Sequence, residues 1–187
     1  MSRALFRRHG ESAHNAHGGA EPLGEREGDR LTARGLEQAH AAGVGLRGHG
    51  VTRLLSSPLR RAGETAAAVG EALGLRPEPL DYAFELHAGE TFEQLVERVR
   101  RLKRELEAGA ASERPLLVTH GIFTRFFLLD SVLGEDFAPA MAAGIWNLGS
   151  HNCGLSVFAH GETRDPAGAE VPGWTCLTWM ERPWDRP

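Results

Sequence analysis

Lysine is nearly absent from this sequence of 187 residues: 20 of its 21 basic residues are arginine, and Lys103 is the single lysine. A Walker phosphate-binding loop needs a Gly-Lys-Ser or Gly-Lys-Thr triplet, whereas Lys103 lies between Leu102 and Arg104. The sequence therefore excludes P-loop NTPases and lysine-dependent protein kinases. Because arginine is so common, only arginines that belong to larger patterns indicate function.

Cysteine and long apolar runs are also scarce. Cys153 and Cys176 lack a CxxC or histidine-rich context, so neither a disulfide framework nor a zinc site is expected. Only residues 4–6 are apolar before the first arginine pair, which is too short for a signal peptide. The most apolar later stretch, 122–133, is interrupted by Arg125 and Asp130. We expect a cytoplasmic protein without a membrane-spanning segment.

An excess of basic charge is missing as well, since 21 basic residues face 25 acidic ones and the net charge is -4. This balance argues against nucleic-acid binding. Hydrophobic residues make up 41% and charged residues 25% of the chain, which are ordinary values for a folded globular protein. The length predicts a single domain over residues 1–187.

Strand-like and helix-like segments alternate along the chain. Strands are predicted at 4–7, 51–56, 115–119, 155–159 and 175–180, helices at 31–47, 59–73, 91–106 and 121–133, and a Gly/Pro-rich loop at 161–173. This order predicts an α/β fold, a three-layer α/β/α sandwich with a mostly parallel central sheet. His9 and His120 each follow a predicted strand, and ligands bind beyond the carboxyl ends of such strands. Both histidines are therefore expected in one crevice.

Four motifs occur in a fixed order on these elements. They are Arg-His-Gly-Glu-Ser at 8–12, Leu-Thr with a later Gly at 31–35, Ser-Pro-Leu-Arg-Arg-Ala at 57–62, and Thr-His-Gly at 119–121. The series resembles the histidine phosphatase superfamily, also called the phosphoglycerate mutase-like family, from residue 2 to about residue 133. The resemblance implies a phosphoglycerate mutase-like fold and a phosphohistidine mechanism.

In that mechanism His9 is the nucleophile, and no metal or other cofactor takes part. The resemblance implies that the phosphoryl group is held by Arg8, Asn15, Arg61, His120 and Gly121. Two guanidinium groups and a second imidazole suit the negative charge on the three equatorial oxygens of a transferring phosphoryl group. In the pattern Ser-Pro-Leu-x-Arg-Ala the matching arginine is Arg61, and Arg60 occupies the variable position.

The leaving group also needs a proton, which the family takes from a carboxyl group between the second and last motifs. The candidates are Asp81, Glu85 and Glu90. Glu85 best resembles the family's glutamate, because Gly89 follows it a few residues later. Glu90 is the alternative, although it resembles the residue that opens the next helix, where the helix dipole favours an acid.

Only three residues, 86–88, separate Glu85 from Gly89, whereas many relatives carry a longer segment there that covers the substrate. A shortened cover favours water as the phosphoryl acceptor. We therefore expect a phosphomonoesterase acting on a small phosphorylated substrate. The alternatives are phosphoryl transfer of the phosphoglycerate mutase type and a weakly catalytic module that binds a phospholigand or phosphoprotein. The sequence leaves the physiological substrate and the oligomeric state open.

Four other patterns receive structural interpretations. The Gly-x-Gly-x-x-Gly match at 43–48 follows a helix instead of a strand, so it is interpreted as a helix terminus and not a dinucleotide site. The pair His14 and His17 is expected in a surface loop. Residues 151–153 are interpreted as a plain turn that could border the phosphate pocket. The tryptophans at 174, 179 and 184 are expected in edge packing or an interface.

Overall fold

The computed structural model describes residues 2–16, 29–161 and 163–182 of the chain. Its central sheet has six strands in the order β3-β2-β4-β1-β5-β8. Their bounds are β1 Ser2–Arg8, β2 Arg53–Ser56, β3 Pro77–Pro79, β4 Pro115–Thr119, β5 Leu155–His160 and β8 Trp174–Glu181. The pairs β3/β2, β2/β4 and β4/β1 are parallel, and β5 runs antiparallel to β1 and β8. Two short strands, β6 Thr163–Arg164 and β7 Glu170–Val171, form a separate hairpin.

Helices cover both faces of the sheet. They are α1 Ala13–Ala16, α2 Ala33–Gly45, α3 Arg60–Leu73, α4 Phe92–Ala108 and α5 Gly121–Leu133, followed by 3-10 helices at Gly134–Asp136 and Pro139–Asn147. Alternate strand residues supply two cores, since Leu5 packs in a cluster with Val69 of α3 and Phe6 in one with Phe127 of α5. The predicted three-layer α/β/α sandwich with a mostly parallel sheet is confirmed.

The helix ends follow the local sequence. Thr32 caps α2 by accepting a hydrogen bond from the Gly35 amide, and Thr91 forms a capping box with Gln94 at the start of α4. Gly74 ends α3 in the left-handed conformation, with a φ of 70°. The Gly-x-Gly-x-x-Gly match is indeed a helix terminus, because α2 ends at Gly45.

Three segments differ from the prediction. Strand β3 was not predicted. It contains Pro77 and Pro79, which are tolerated because β3 is an edge strand. The predicted loop at 161–173 carries the β6/β7 hairpin. The 3-10 helices between residues 134 and 147 had no recognised periodicity.

The topology brings distant parts of the sequence to one edge of the sheet. Strands β2, β4 and β1 are parallel neighbours, and they are followed directly by Ser57, His120 and His9. The carboxyl ends of parallel strands meet at the same edge, so these three residues converge.

Gly35 allows α2 to pack closely on the loop that follows β1. A Cβ atom at position 35 would lie 2.0 Å from the Glu11 carbonyl oxygen. We therefore expect Gly35→Ala to lower the free energy of unfolding by about 1–3 kcal/mol, the usual cost of overpacking. Urea denaturation measures this change. The control is Gly63→Ala in α3, where a Cβ atom meets nothing within 4 Å, and a loss of stability in both variants alike would contradict the close approach.

Candidate active site

The backbone fixes the tautomer of His9. Its amide donates to the Thr119 carbonyl of the neighbouring strand, 3.0 Å away, and its ring Nδ1 lies 2.7 Å from the Gly10 carbonyl oxygen. A carbonyl oxygen only accepts hydrogen bonds, so Nδ1 carries the proton and Nε2 keeps its lone pair. The side chain is buried, with 3% of its surface exposed. His9 thus presents a nucleophilic nitrogen in a fixed orientation.

Arg61 bridges the two histidines. Its Nε donates to His9 Nε2 at 3.2 Å, and its Nη2 lies 3.2 Å from His120 Nδ1. Because a guanidinium group only donates, His120 Nδ1 is the acceptor, and the His120 Nε2–H donates to Ser57 Oγ at 2.7 Å. The centres of the two imidazole rings are 5.3 Å apart. The structure thus brings the two histidines together beyond the ends of their strands, as the sequence predicts.

The environment disfavours the charged form of both imidazoles. Burial lowers the pKa of His9 well below its ordinary value of 6.5, and the positive charges of Arg8 and Arg61 lower it further. Burial also lowers the pKa of His120 well below 6.5, with additional contributions from His9 and Arg61. Both histidines are neutral at physiological pH.

We expect the ring signals of His9 and His120 in NMR spectra of histidine-labelled protein to keep their neutral-form positions at pH 6. The pKa of each ring is lower in the folded than in the unfolded chain, so the folded state binds fewer protons. The stabilisation that the two neutral rings contribute is therefore complete above about pH 6.5 and is lost as pH falls toward the folded-state pKa values. The His9→Ala spectrum assigns the signal, and a His9 ring that titrates near 6.5 would contradict the account.

Arg8 lies beside these histidines and has one N–H group without a hydrogen-bond partner in the described part of the chain. Its Nη1 donates to the Ser150 carbonyl oxygen at 2.6 Å, while its buried Nε–H has no hydrogen-bond partner among the described residues. A buried donor without a partner costs about 1–3 kcal/mol, so this N–H favours an oxygen-bearing ligand. Burial lowers the pKa of Arg8 below its ordinary value, and the nearby Glu85 charge opposes this effect.

The structure separates the two consecutive arginines of the third motif. Arg61 is buried against the histidines, with 3% of its surface exposed, and Arg60 is exposed and donates to Glu64 at 2.7 Å. The placement agrees with the motif register.

Asp29, which the sequence analysis did not single out, has a buried side chain with one carboxylate oxygen 3.9 Å from Arg61 Nη1. Its other oxygen accepts from the His14 amide.

Asn152, in the segment 151–153, links the Asn15 side chain to the backbone of His9. Asn152 Nδ2 donates to the His9 carbonyl oxygen at 3.2 Å and to Asn15 Oδ1 at 3.0 Å, and the Cys153 amide donates to the same His9 carbonyl at 3.1 Å. The segment is therefore more than a plain turn, because it fixes the backbone of His9. Its role was missed because more than 140 residues of sequence separate it from His9.

The surface-loop interpretation of His14 is wrong. His14 lies in α1, a single helical turn that follows the loop containing His9, and its side chain is buried. His17 lies outside the described residues. Within the described ranges, His, Cys, Asp and Glu side chains form no group of three or more that could hold a metal ion.

Of the three candidate acids, Glu85 is the one at the site. It is 8% exposed, and its carboxylate accepts from the Leu86, Ile122 and Phe123 amides at 3.1–3.2 Å, the last two at the start of α5. Glu90 instead forms a bidentate ion pair with Arg98, at 2.6 and 2.8 Å. Asp81 is exposed.

Gly121 begins α5 where the loop at Ser150 comes close. A Cβ atom at position 121 would lie 2.8 Å from Ser150 Oγ.

Two of the three tryptophans pack against the edge of the fold, since Trp174 is buried and the indole of Trp179 donates to the Gly149 carbonyl oxygen. Trp184 lies outside the described residues. No helix in the part of the chain that the structure describes is long and apolar enough to cross a membrane.

A family model and a curated relative match most of the chain. The family model of the histidine phosphatase superfamily (branch 1) matches residues 4–89 and 76–167. A probable phosphoglycerate mutase, GpmB, from Salmonella arizonae is 28% identical, over 95% of this chain and 92% of its own length.

Solved structures share the fold. A mycobacterial glucosyl-3-phosphoglycerate phosphatase in complex with VO3 is 23% identical, with a TM-score of 0.74 over 97% of this chain and 100% of that one. A phosphoserine phosphatase from Entamoeba histolytica in complex with phosphoserine is 16% identical, with a TM-score of 0.75 over the whole of both chains.

Proposed function

The chain belongs to the histidine phosphatase superfamily, and from that premise we propose that it hydrolyses small phosphomonoesters through a phosphohistidine at His9. The observation that carries the proposal is the neutral His9, whose Nε2 lone pair accepts a hydrogen bond from Arg61. The neighbouring Arg8 has a buried Nε–H without a partner among the described residues. The site therefore offers a nucleophile and positive donors in one buried place. The phosphatase names of the structural relatives support the same reaction class.

In the structure Arg61 donates hydrogen bonds to His9 and His120. In the first step the phosphoryl oxygens accept these hydrogen bonds instead. The His9 Nε2 lone pair attacks phosphorus, the bond to the ester oxygen breaks, and Glu85 gives a proton to the leaving alkoxide. Arg8, Arg61 and His120 stabilise the charge on the equatorial oxygens. Because these groups supply the positive field, we propose that the reaction needs no metal.

In the second step water attacks the phosphoryl group on His9. Glu85, now ionised, takes the proton of the water, and the bond between nitrogen and phosphorus breaks. The carboxyl group is held in place by the Leu86 amide and by the Ile122 and Phe123 amides at the start of α5. The products are inorganic phosphate and neutral His9. We propose that the reaction takes place in the cytoplasm, in keeping with a sequence whose two cysteines show no disulfide framework.

Phosphoryl transfer of the phosphoglycerate mutase type is the second candidate, favoured by the name of the curated relative. We propose that hydrolysis dominates, since only residues 86–88 separate Glu85 from Gly89 and the β6/β7 hairpin lies at the opposite end of β5 from His9. Little of the substrate would then be enclosed, and water would compete well for the phosphoryl group.

Comparing phosphate release with mutase turnover on one preparation tests the proposal. The panel contains phosphoglycerates, phosphoserine and aryl phosphates, and inorganic phosphate is the readout. We expect phosphate release from several of these esters with weak discrimination among them. Mutase turnover faster than phosphate release would establish the second candidate. Binding of phosphate esters without either turnover would make the protein a binding module.

A further inference from the structure

Residues 148–150, here called the 148–150 segment, lie between the second 3-10 helix and β5 and belong to no helix or strand. Backbone carbonyls outside regular structure need partners from elsewhere. Each carbonyl of this segment accepts from a side chain: Leu148 from Arg125 Nε at 2.9 Å and Nη2 at 2.7 Å, Gly149 from Trp179 Nε1 at 2.9 Å, and Ser150 from Arg8 Nη1 at 2.6 Å.

Two of these donors have no place in the proposed reaction. Arg125 lies on α5, one turn beyond Gly121, and Trp179 lies on β8 at the edge of the sheet. The two donors bind adjacent carbonyl groups and come from different elements, so the segment is tied to both α5 and β8. The third donor, Arg8, belongs to the site itself.

We propose that Arg125 and Trp179 are positioning residues, which hold the 148–150 segment so that the Ser150 carbonyl fixes the guanidinium group of Arg8 for a phosphoryl oxygen. The inference rests on the proposed function, in which Arg8 binds that oxygen. With its Nη1 anchored on Ser150, Arg8 keeps its buried Nε–H unpartnered for the ligand. An arginine fixed in this way loses less side-chain freedom on binding than a mobile one does.

Conservative substitutions separate positioning from packing and charge. Trp179→Phe removes the indole N–H and keeps an aromatic ring, and Arg125→Lys removes the bidentate fork but keeps the positive charge. The matched control is Trp174→Phe, because the Trp174 indole donates to Glu107 at 2.7 Å. Trp174 pairs with His160, which in turn pairs with Ser2, so it lies at the end of β1 opposite to Arg8.

The experiment measures the affinity for inorganic phosphate by calorimetry, in the wild-type chain and in an Arg8→Lys background, with thermal unfolding as the check on folding. We expect Trp179→Phe and Arg125→Lys each to weaken phosphate binding by about 5- to 10-fold in the wild-type background and by less than about 2-fold beside Arg8→Lys, because residues that act through one another are not additive. Trp174→Phe should change the affinity by less than about 2-fold in either background.

Three results would overturn the positioning role. These are wild-type phosphate affinity in folded Trp179→Phe and Arg125→Lys, an equal loss of affinity in both backgrounds, and an equal loss in Trp174→Phe. A wild-type chain that binds no phosphate would overturn both the positioning role and the proposed function. If the expected coupling is found in a chain that releases no phosphate from any ester, the proposed function fails and the positioning role stands.

Discussion

His9→Ala is expected to abolish turnover, with a fall in kcat of at least about 10⁴-fold, because the substitution removes the nitrogen that accepts the phosphoryl group in the proposed mechanism. The surrounding donors remain, so binding of inorganic phosphate should persist. Steady-state phosphate release and phosphate calorimetry on the same protein measure the two effects. The control is His49→Ala, since His49 is exposed in the loop before β2.

Residual activity of more than about one part in a hundred in His9→Ala would contradict a covalent route through this residue. A different nucleophile, or a water that attacks the ester directly, would then have to be sought. An equal loss in His49→Ala would show instead that the assay responds to general damage to the fold.

The second large effect is expected for the arginine pair of the third motif. Arg61→Ala should lower kcat/KM by at least about 10²-fold, the size expected for one preorganised donor to the transition state. Arg60→Ala should cost less than about 2-fold, because Arg60 is exposed and its partner is Glu64 on the same helix.

The two variants are each other's control, because they remove the same side chain from adjacent positions of α3. Phosphate release over a range of substrate concentrations gives kcat and KM for both. The opposite ranking would mean that the motif register is wrong and that the geometry of Arg61 between the histidines does not reflect its role.

Much of the fold was predictable because its signals are local. The apolar run before His120, the threonine caps of α2 and α4 and the glycine after α3 each act within a few residues. Strand β3 was not predictable, because Pro77 and Pro79 argue against a strand and only its place at the sheet edge allows them.

The site residues likewise fall into those that a local motif marks and those that only distant contacts bring to the site. His9, Arg61 and His120 stand in motifs beside strand ends, so their convergence follows from a parallel sheet. Asn152 and Ser150 contact the first motif across more than 140 residues, and no local pattern marks such partners. Asp29 and the burial of His14 depend on how α1 packs, and a helix of one turn has no periodicity to detect.

Trapping the covalent intermediate tests the central claim most directly. Wild-type protein and Glu85→Gln are mixed with an aryl phosphate, whose phenolate leaves without a proton from residue 85, then quenched in base within milliseconds to seconds and examined by peptide mass spectrometry. We predict one phosphoryl group on the peptide that contains His9, labile to acid, and more of it in Glu85→Gln because the loss of the general base slows hydrolysis of the intermediate. Release of phosphate with no phosphorylated peptide in either protein, or with the phosphoryl group on another residue, would contradict the account.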